Sequence, residues 1–249
     1  MNTLTLEQVS FSYNGKDRIL DNITFSAEVG ETIGVIGANG AGKTTLLKLL
    51  VGLLLPDAGT ISVSGTRLSK ETLTEIRKKI GYVFQDSDSQ LFMSTAYDDI
   101  AFGPRNYGFP EEEVAERVEK AMELTRSSYL RDRQIHKMSG GEKKLVSIAT
   151  ILSLDPELII MDEPSNALDP QNRRNLIRVL NSLLCTKLIA AHDLDLVWDT
   201  CSRVILLGSG RIIAEGNTKE LLTKEELLNA NNLELPLSAK LHLLKEGRA

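Results

Sequence analysis

Nine residues, Gly37-Ala38-Asn39-Gly40-Ala41-Gly42-Lys43-Thr44-Thr45, constrain this 249-residue chain more than any other stretch. They match G-x-x-x-x-G-K-[ST] in the setting that gives that pattern physical meaning. The apolar run at 32–36 reads as a short buried strand, and 46–50 reads as a helix. Between them, Gly37, Gly40 and Gly42 allow successive N–H groups to turn inward around an anion. The helix presents its unpaired N–H groups and dipole to the same anion. Lys43 would bring a charge to the β- and γ-phosphates, and Thr44 a hydroxyl for Mg²⁺. The competing reading is a Gly-rich strand–helix turn that binds nothing. With strand and helix both in place, the pattern predicts a nucleoside triphosphate site.

Length allows one large domain or two small ones, with a substantial core. A net charge of −5 argues against a polyanion-binding surface, and so against a nucleic-acid role. Cys185 and Cys201 lie in apolar surroundings without metal-like spacing, which predicts buried free thiols in a reducing compartment. The first residues carry neither a basic nor an apolar leader region, so no secretion signal is expected. The most apolar run, 46–55, contains Lys48 and is far too short to span a bilayer. Any work at a membrane would be that of a peripheral subunit.

In chain order, 3–13 reads as an opening strand, Asn14-Gly15 as a turn, and 19–27 as the return strand. After the phosphate-loop unit come a strand at 60–63, a helical stretch at 71–79 and a strand at 80–84. The segment 86–110 has little regular period. A helix then starts at Pro110, with Glu111, Glu112 and Glu113 at its positive end. Another follows Ser139-Gly140-Gly141, with Leu145, Ile148, Ala149 and Leu152 at helical spacing. The core resumes with a strand at 158–162, a helix at 169–184, a strand at 187–191 and a hairpin around Gly208-Ser209-Gly210. Two helical stretches, 219–229 and 238–245, occupy the tail. This predicts an α/β fold: a phosphate-loop core with a mainly parallel sheet, an N-terminal antiparallel β subdomain and an inserted helical subdomain. The expected division is 1–85 and 156–228 for the core, 86–155 for the helical insertion, and 229–249 for a C-terminal extension.

The strand 158–162 ends in Asp162 and Glu163. Beside a phosphate loop, Asp162 would hold Mg²⁺ and Glu163 would polarise a water for in-line attack on the γ-phosphate. Taken alone, the two acids could simply close a strand at the surface. Met138-Ser139-Gly140-Gly141-Glu142 reads equally as a helix cap and as a hydroxyl with exposed N–H groups aimed at a phosphate. Nothing in one chain requires that helix to meet its own phosphate loop.

The order of Gly37–Thr45, Gln85, Ser139–Glu142, Met161–Glu163, Ser165-Asn166-Ala167-Leu168-Asp169 and His192 resembles the ATP-binding-cassette ATPases over nearly the whole chain. The resemblance implies a head-to-tail dimer. Each ATP would lie between one subunit's phosphate loop and the Ser139-Gly140-Gly141-Glu142 helix of the other. It implies that Tyr13 stacks on adenine, that Gln85 reaches Mg²⁺ and the attacking water, and that His192 contacts the γ-phosphate. Asp169 would be a dimer-contact acid, although before Pro170 it also reads as a helix cap. Glu142 stands where glutamine is commoner, and Leu145 where a basic residue is often found.

The stretches Gly81-Tyr82-Val83-Phe84-Gln85-Asp86-Ser87-Asp88-Ser89-Gln90-Leu91-Phe92, Ala101-Phe102-Gly103-Pro104 and Asn232-Leu233-Glu234-Leu235-Pro236 are similar to energy-coupling-factor and cobalt/nickel importer ATPases. That similarity implies an ATP- and Mg²⁺-dependent subunit on the cytoplasmic face of a metal or vitamin importer. Its partners would be a second ATPase subunit, identical or related, a transmembrane coupling subunit and a substrate-binding membrane subunit. The rival readings are a soluble cassette ATPase in an assembly pathway, such as iron–sulfur cluster assembly, and a nucleic-acid-associated cassette. The 85–92 and 232–236 stretches count against the first. The single cassette and negative charge count against the second.

Overall fold

The computed structural model describes residues 2–245 and 247. Met1 and positions 246, 248 and 249 of the expected C-terminal extension lie outside the described residues. The chain opens with two long antiparallel strands, β1 (Asn2–Ser12) and β2 (Arg18–Glu28). At the turn between them, the Asn14 side chain accepts from the backbone N–H groups of Lys16 and Asp17, both at 3.0 Å. The fully buried β3 (Thr32–Ile36) leads through the glycine loop into α1 (Lys43–Leu50). β4 (Ala58–Val63) and the short β5 (Thr66–Arg67) return to the first pair and complete an antiparallel sheet of order β2-β1-β4-β5.

α2 (Leu73–Lys79) then delivers β6 (Ile80–Val83) to a second sheet. Three helices follow: α3 (Ala96–Asn106), α4 (Glu111–Thr125) and α5 (Gly140–Leu152). They bury a core of their own, with Ile100, Val114, Val118, Met122 and Val146 at its centre. The chain re-enters the sheet through β7 (Leu158–Asp162), α6 (Pro170–Ser182), β8 (Thr186–Ala190) and α7 (Leu194–Thr200). The hairpin β9 (Arg203–Gly208) and β10 (Arg211–Asn217) follows, and α8 (Thr218–Leu222), α9 (Glu225–Ala230) and α10 (Leu237–Lys245) close the chain.

The second sheet has the order β10-β9-β3-β8-β7-β6, parallel throughout except for β10. α1 and the antiparallel sheet cover one face, with Leu46, Leu47, Leu49 and Leu50 fully buried between them. α6, α7 and the C-terminal helices cover the other through Leu176, Leu196, Val197 and Leu222. Strands covered on both faces carry continuous apolar runs, as β3, β7 and β8 do. Their carboxyl ends are level: Val35 pairs with Ala190, Ala190 with Asp162, and Met161 with Val83. In an open parallel sheet, that edge is where ligands bind.

Two departures from the sequence reading have local causes. The segment 86–110 holds α3, because Thr95 caps it by accepting from Asp98 N and two aspartates occupy its first turn. Pro104 lies inside this helix and donates no hydrogen bond to the Ile100 carbonyl. The Ser153 hydroxyl donates to that carbonyl at 3.1 Å instead. The tail stretch at 219–229 is two helices rather than one, broken at Thr223 and Lys224.

Candidate nucleotide-binding site

At the level edge of the parallel strands, an open cavity of about 470 Å³ brings the loop 39–45 together with Tyr13, Gln85, Glu163 and His192. The loop takes a path only glycine follows easily. Gly42, the cap of α1, has φ +104°, and a Cβ there would fall 2.8 Å from the Leu20 side chain and 3.1 Å from the Ile19 carbonyl. β2 is therefore packed directly against the loop. Tyr13, just beyond β1, is 60% exposed at the cavity mouth. Its ring stands edge-on to Phe11, and its hydroxyl is 3.2 Å from Thr45 Oγ1. An exposed aromatic face held by its edges is suited to stacking.

Lys43 is buried, and its Nζ donates to the carbonyls of Gly37 (2.7 Å) and Ala38 (3.3 Å). It also lies 3.2 Å from His192 Nε2, which serves as the acceptor when the ammonium donates. Burial lowers the lysine's pKa, against the pull of Glu163 and Asp162. Asp162 ends β7, only 5% exposed. Burial raises its pKa, while hydrogen bonds from the Thr44 and Tyr82 hydroxyls and the charge of Lys43 pull it back.

Glu163 has φ +46°, a left-handed conformation that costs a non-glycine residue about 1 kcal/mol or more. Its N–H donates to Ala190 O at 2.9 Å, and its Oε2 accepts from the His192 N–H at 2.9 Å. Oε1 is buried without a hydrogen bond, although His192 Nε2 is 3.4 Å away. Burial raises this carboxyl's pKa as well. A strained, partly desolvated carboxylate with one oxygen unspent is suited to accept a proton from a substrate or water.

Two features of this region were not singled out in the sequence. Arg173 of α6 grips Asp193, next to His192, through two hydrogen bonds of 2.5 and 2.8 Å. The cost of desolvating Asp193 is outweighed by Arg173 and by the Leu196 N–H it accepts from, so its pKa is lowered. Asp193 thereby caps α7 and ties the turn bearing His192 to α6. The other feature is Lys144, 3% exposed, whose Nζ donates to the carbonyls of Phe84 and Gln85, both at 2.9 Å. Burial pushes it down to about 8. A lysine one turn before Ile148, on the otherwise apolar face of a helix, was a visible signal.

The remaining predicted residues stand apart from this cavity. Ser139 caps α5 by accepting from Glu142 N (3.3 Å), while Glu142 accepts from Ser139 N (2.8 Å), a reciprocal capping box. Arg133 holds the other Glu142 oxygen at 2.9 Å. Ser139 and Gly140 stay exposed, and Gly140 lines a separate cavity of about 220 Å³ that shares Gln85 with the first. Leu145, at the position noted for its departure, is buried in the core below. Asp169 caps α6 by accepting from Gln171 N and Asn172 N. Cys185 and Cys201 are free, and burial pushes the Cys201 thiol up to about 12. Among the described residues, no helix is long and apolar enough to cross a membrane.

The comparisons agree with this geometry. Residues 20–166 match the ABC transporter family. The energy-coupling factor transporter ATP-binding protein EcfA of Methanothermobacter thermautotrophicus is 43% identical over 243 residues, covering 96% of this chain and 78% of that protein. Among solved structures, cbiO1 from Clostridium perfringens, part of the ABC transporter complex cbiONQ, superposes with a TM-score of 0.85 at 34% identity, covering 98% of this chain and 99% of that one. A dimeric ATP-binding cassette in a post-hydrolysis state, bound to ADP and Pi, superposes with a TM-score of 0.76 at 25% identity, covering 86% and 98%. A phosphate loop, a paired carboxylate and a capped Ser-Gly-Gly helix on one α/β frame thus carry a family assignment: the chain belongs to the ABC transporter family, as one of its ATP-binding and ATP-hydrolysing subunits.

Proposed function

We propose that this chain powers an importer of transition-metal ions or vitamins of the energy-coupling-factor type, working as a peripheral subunit on the cytoplasmic face of the membrane. The observation that carries this reading is the length of the likeness. The family match stops at residue 166, whereas the likeness to EcfA and cbiO1 takes in 96% and 98% of the chain. Exposed aromatics beside the Gln85 loop give it a physical basis. Phe84, Phe92 and Phe102 are 40%, 64% and 41% exposed, and the last two pack edge to face with ring centres 4.9 Å apart. An apolar patch of this kind suits a helix of a membrane partner. On α10, Leu237, Leu241 and Leu244 are exposed at helical spacing and suit contact with a second ATPase subunit.

In this reading ATP lies against the loop 37–45, with Tyr13 under the adenine and Lys43 on the β/γ-phosphates. Thr44, Asp162 and Gln85 offer a hydroxyl, a carboxylate and an amide oxygen. This hard-oxygen set fits Mg²⁺ and leaves positions for phosphate and water. When bound, Mg²⁺ would neutralise charge on the phosphate oxygens. Glu163 takes the proton of the attacking water, and His192 is held by backbone and Lys43 contacts where the γ-phosphate would lie. Ser139-Gly140-Gly141 of the second subunit closes the site head to tail.

A native pull-down from gently solubilised membranes tests the reading. Recovery of a multi-span protein is the expected result, and it also tells a homodimer from a pair of related ATPases. Recovery only from the soluble fraction, with assembly factors or ribosomes, would leave the ATPase chemistry standing and overturn the importer assignment.

A further inference from the structure

Past Val83, the last residue of β6 paired with β7, the sheet no longer holds the chain, yet Gln85 is two residues further on. Side-chain contacts with α5 replace the ladder there. Gln90 accepts from Phe84 N at 3.2 Å and donates to Ser147 O and Thr150 Oγ1 at 2.8 and 2.9 Å. Lys143 pairs with Asp88 at 2.5 Å, an ion pair whose acid is well exposed. Lys144 is the one of the three that reaches Gln85 itself, through the carbonyls of both Phe84 and Gln85. Among the described residues it forms no salt bridge; the charges of Asp86 and Asp162 act on it without an ion-pair contact. Burying an ammonium without a paired carboxylate is costly, and an aliphatic side chain would serve packing better. What the ammonium adds is a fixed position for two consecutive carbonyls at the point where Gln85 enters the phosphate cavity. Gln85 and Lys144 also share the second cavity, beside Gly140.

We propose that Lys144 is a positioning residue for ATP hydrolysis: it sets the Gln85 backbone relative to the phosphate loop and makes that setting follow the helix begun by Ser139. The inference rests on the role given to Gln85 above. When the Ser139 helix meets a nucleotide on a second subunit, its displacement is passed to the Gln85 of its own chain through the Lys144 ammonium, with Gln90 and Lys143 tying the flanking residues to the same helix, without a route through the sheet.

The test is a double-mutant cycle on ATP hydrolysis by the assembled pair of ATPase subunits, with full-length chains carrying Gln85→Ala, Lys144→Met or both together. Each single variant is expected to lower kcat about tenfold, inside the ~10²-fold that a misplacement of 1 Å can cost, with KM for ATP within about twofold of wild type. The double variant should be no slower than Gln85→Ala, and Lys144→Arg, which keeps donors at the carbonyls, should recover most of the rate. Effects that multiply, or wild-type kcat in Lys144→Met, overturn the proposal while leaving Gln85 in its role. Wild-type kcat in Gln85→Ala removes that role and the proposal with it. Should Lys144→Met fail to fold, the same cycle with Lys144→Gln decides by the same additivity criterion.

Discussion

The phosphate-loop corner and the Ser139 corner are built from the same physics and finished to different degrees. At the first, the ends of three parallel strands and a helix start converge. Lys43, Asp162 and Glu163 are withdrawn from water there, and one Glu163 oxygen is left unspent. At the second, a single helix begins in the open. Its Ser139 cap is satisfied by Glu142 of its own first turn, and Ser139 and Gly140 face outward. The first corner can bind a nucleotide with what one chain supplies. In the reading proposed above, the second serves a nucleotide held by another subunit. Gly140 lines a different cavity from the phosphate loop, which suits a helix that completes another subunit's site, and the variants below are arranged to break that reading.

Glu163→Gln should have the largest effect. It removes the proton acceptor and keeps the shape, so turnover is expected to fall by roughly 10³-fold while ATP still binds. Size-exclusion chromatography should then show a dimer that persists with ATP. Wild-type turnover would remove Glu163 from its role. Lys43→Ala should weaken ATP binding by about 10²-fold, because a buried charged donor is lost where phosphate charge must be met; a nucleotide titration matching wild type would refute the phosphate cradle. Ser139→Arg should split the two corners. ATP affinity of the isolated chain is expected to stay within twofold, whereas hydrolysis by the assembled pair should fall on the order of 10²-fold. An equal loss in both measurements would mean that the Ser139 helix acts within its own chain. Tyr13→Ala should cost about 0.5–1.5 kcal/mol of ATP affinity, the scale of one stacking contact, and isothermal titration calorimetry would read it as a several-fold weaker Kd.

At both corners the contiguous part was legible in the sequence and the part assembled by the fold was not. The strand–loop–helix unit is contiguous, so its apolar run, glycines and lysine carry all the information locally. The capping of Ser139 by Glu142 is likewise a four-residue pattern. The contact of Glu163 with His192 depends on β7 and β8 being neighbours, which no local pattern states. His192 could be singled out only through the order of motifs along the chain. α3 stayed hidden because Pro104 looks like a helix breaker, and the Ser153 hydroxyl that meets the freed carbonyl comes from the far end of α5. Lys144 was visible as a charge on an apolar face, but the carbonyls it meets are fixed by how α5 packs on β6.

The last variant acts on stability first and on turnover only through it, and it tests what supports the open corner from below. Gly141 is buried where α5 meets the start of α6, and a Cβ there would lie 2.1 Å from Asn172 Cγ. The Asn172 amide is in turn held by Asp169 at 2.5 Å, so it has little freedom to withdraw. Gly141→Ala should therefore overpack the junction at a cost of ~1–3 kcal/mol, a fall of about 2–12 °C in Tm by differential scanning calorimetry. In the double variant Gly141→Ala/Asn172→Gly the offending side chain is gone, so most of that loss should be recovered. The distinction matters for function. If Gly141 is small because of Asn172, recovery of stability should bring recovery of turnover, and the nucleotide-facing duty falls to Ser139 and Gly140. If turnover stays low in a restabilised double variant, Gly141 itself must face the nucleotide of the other subunit, and the open corner is one residue wider than its exposure indicates.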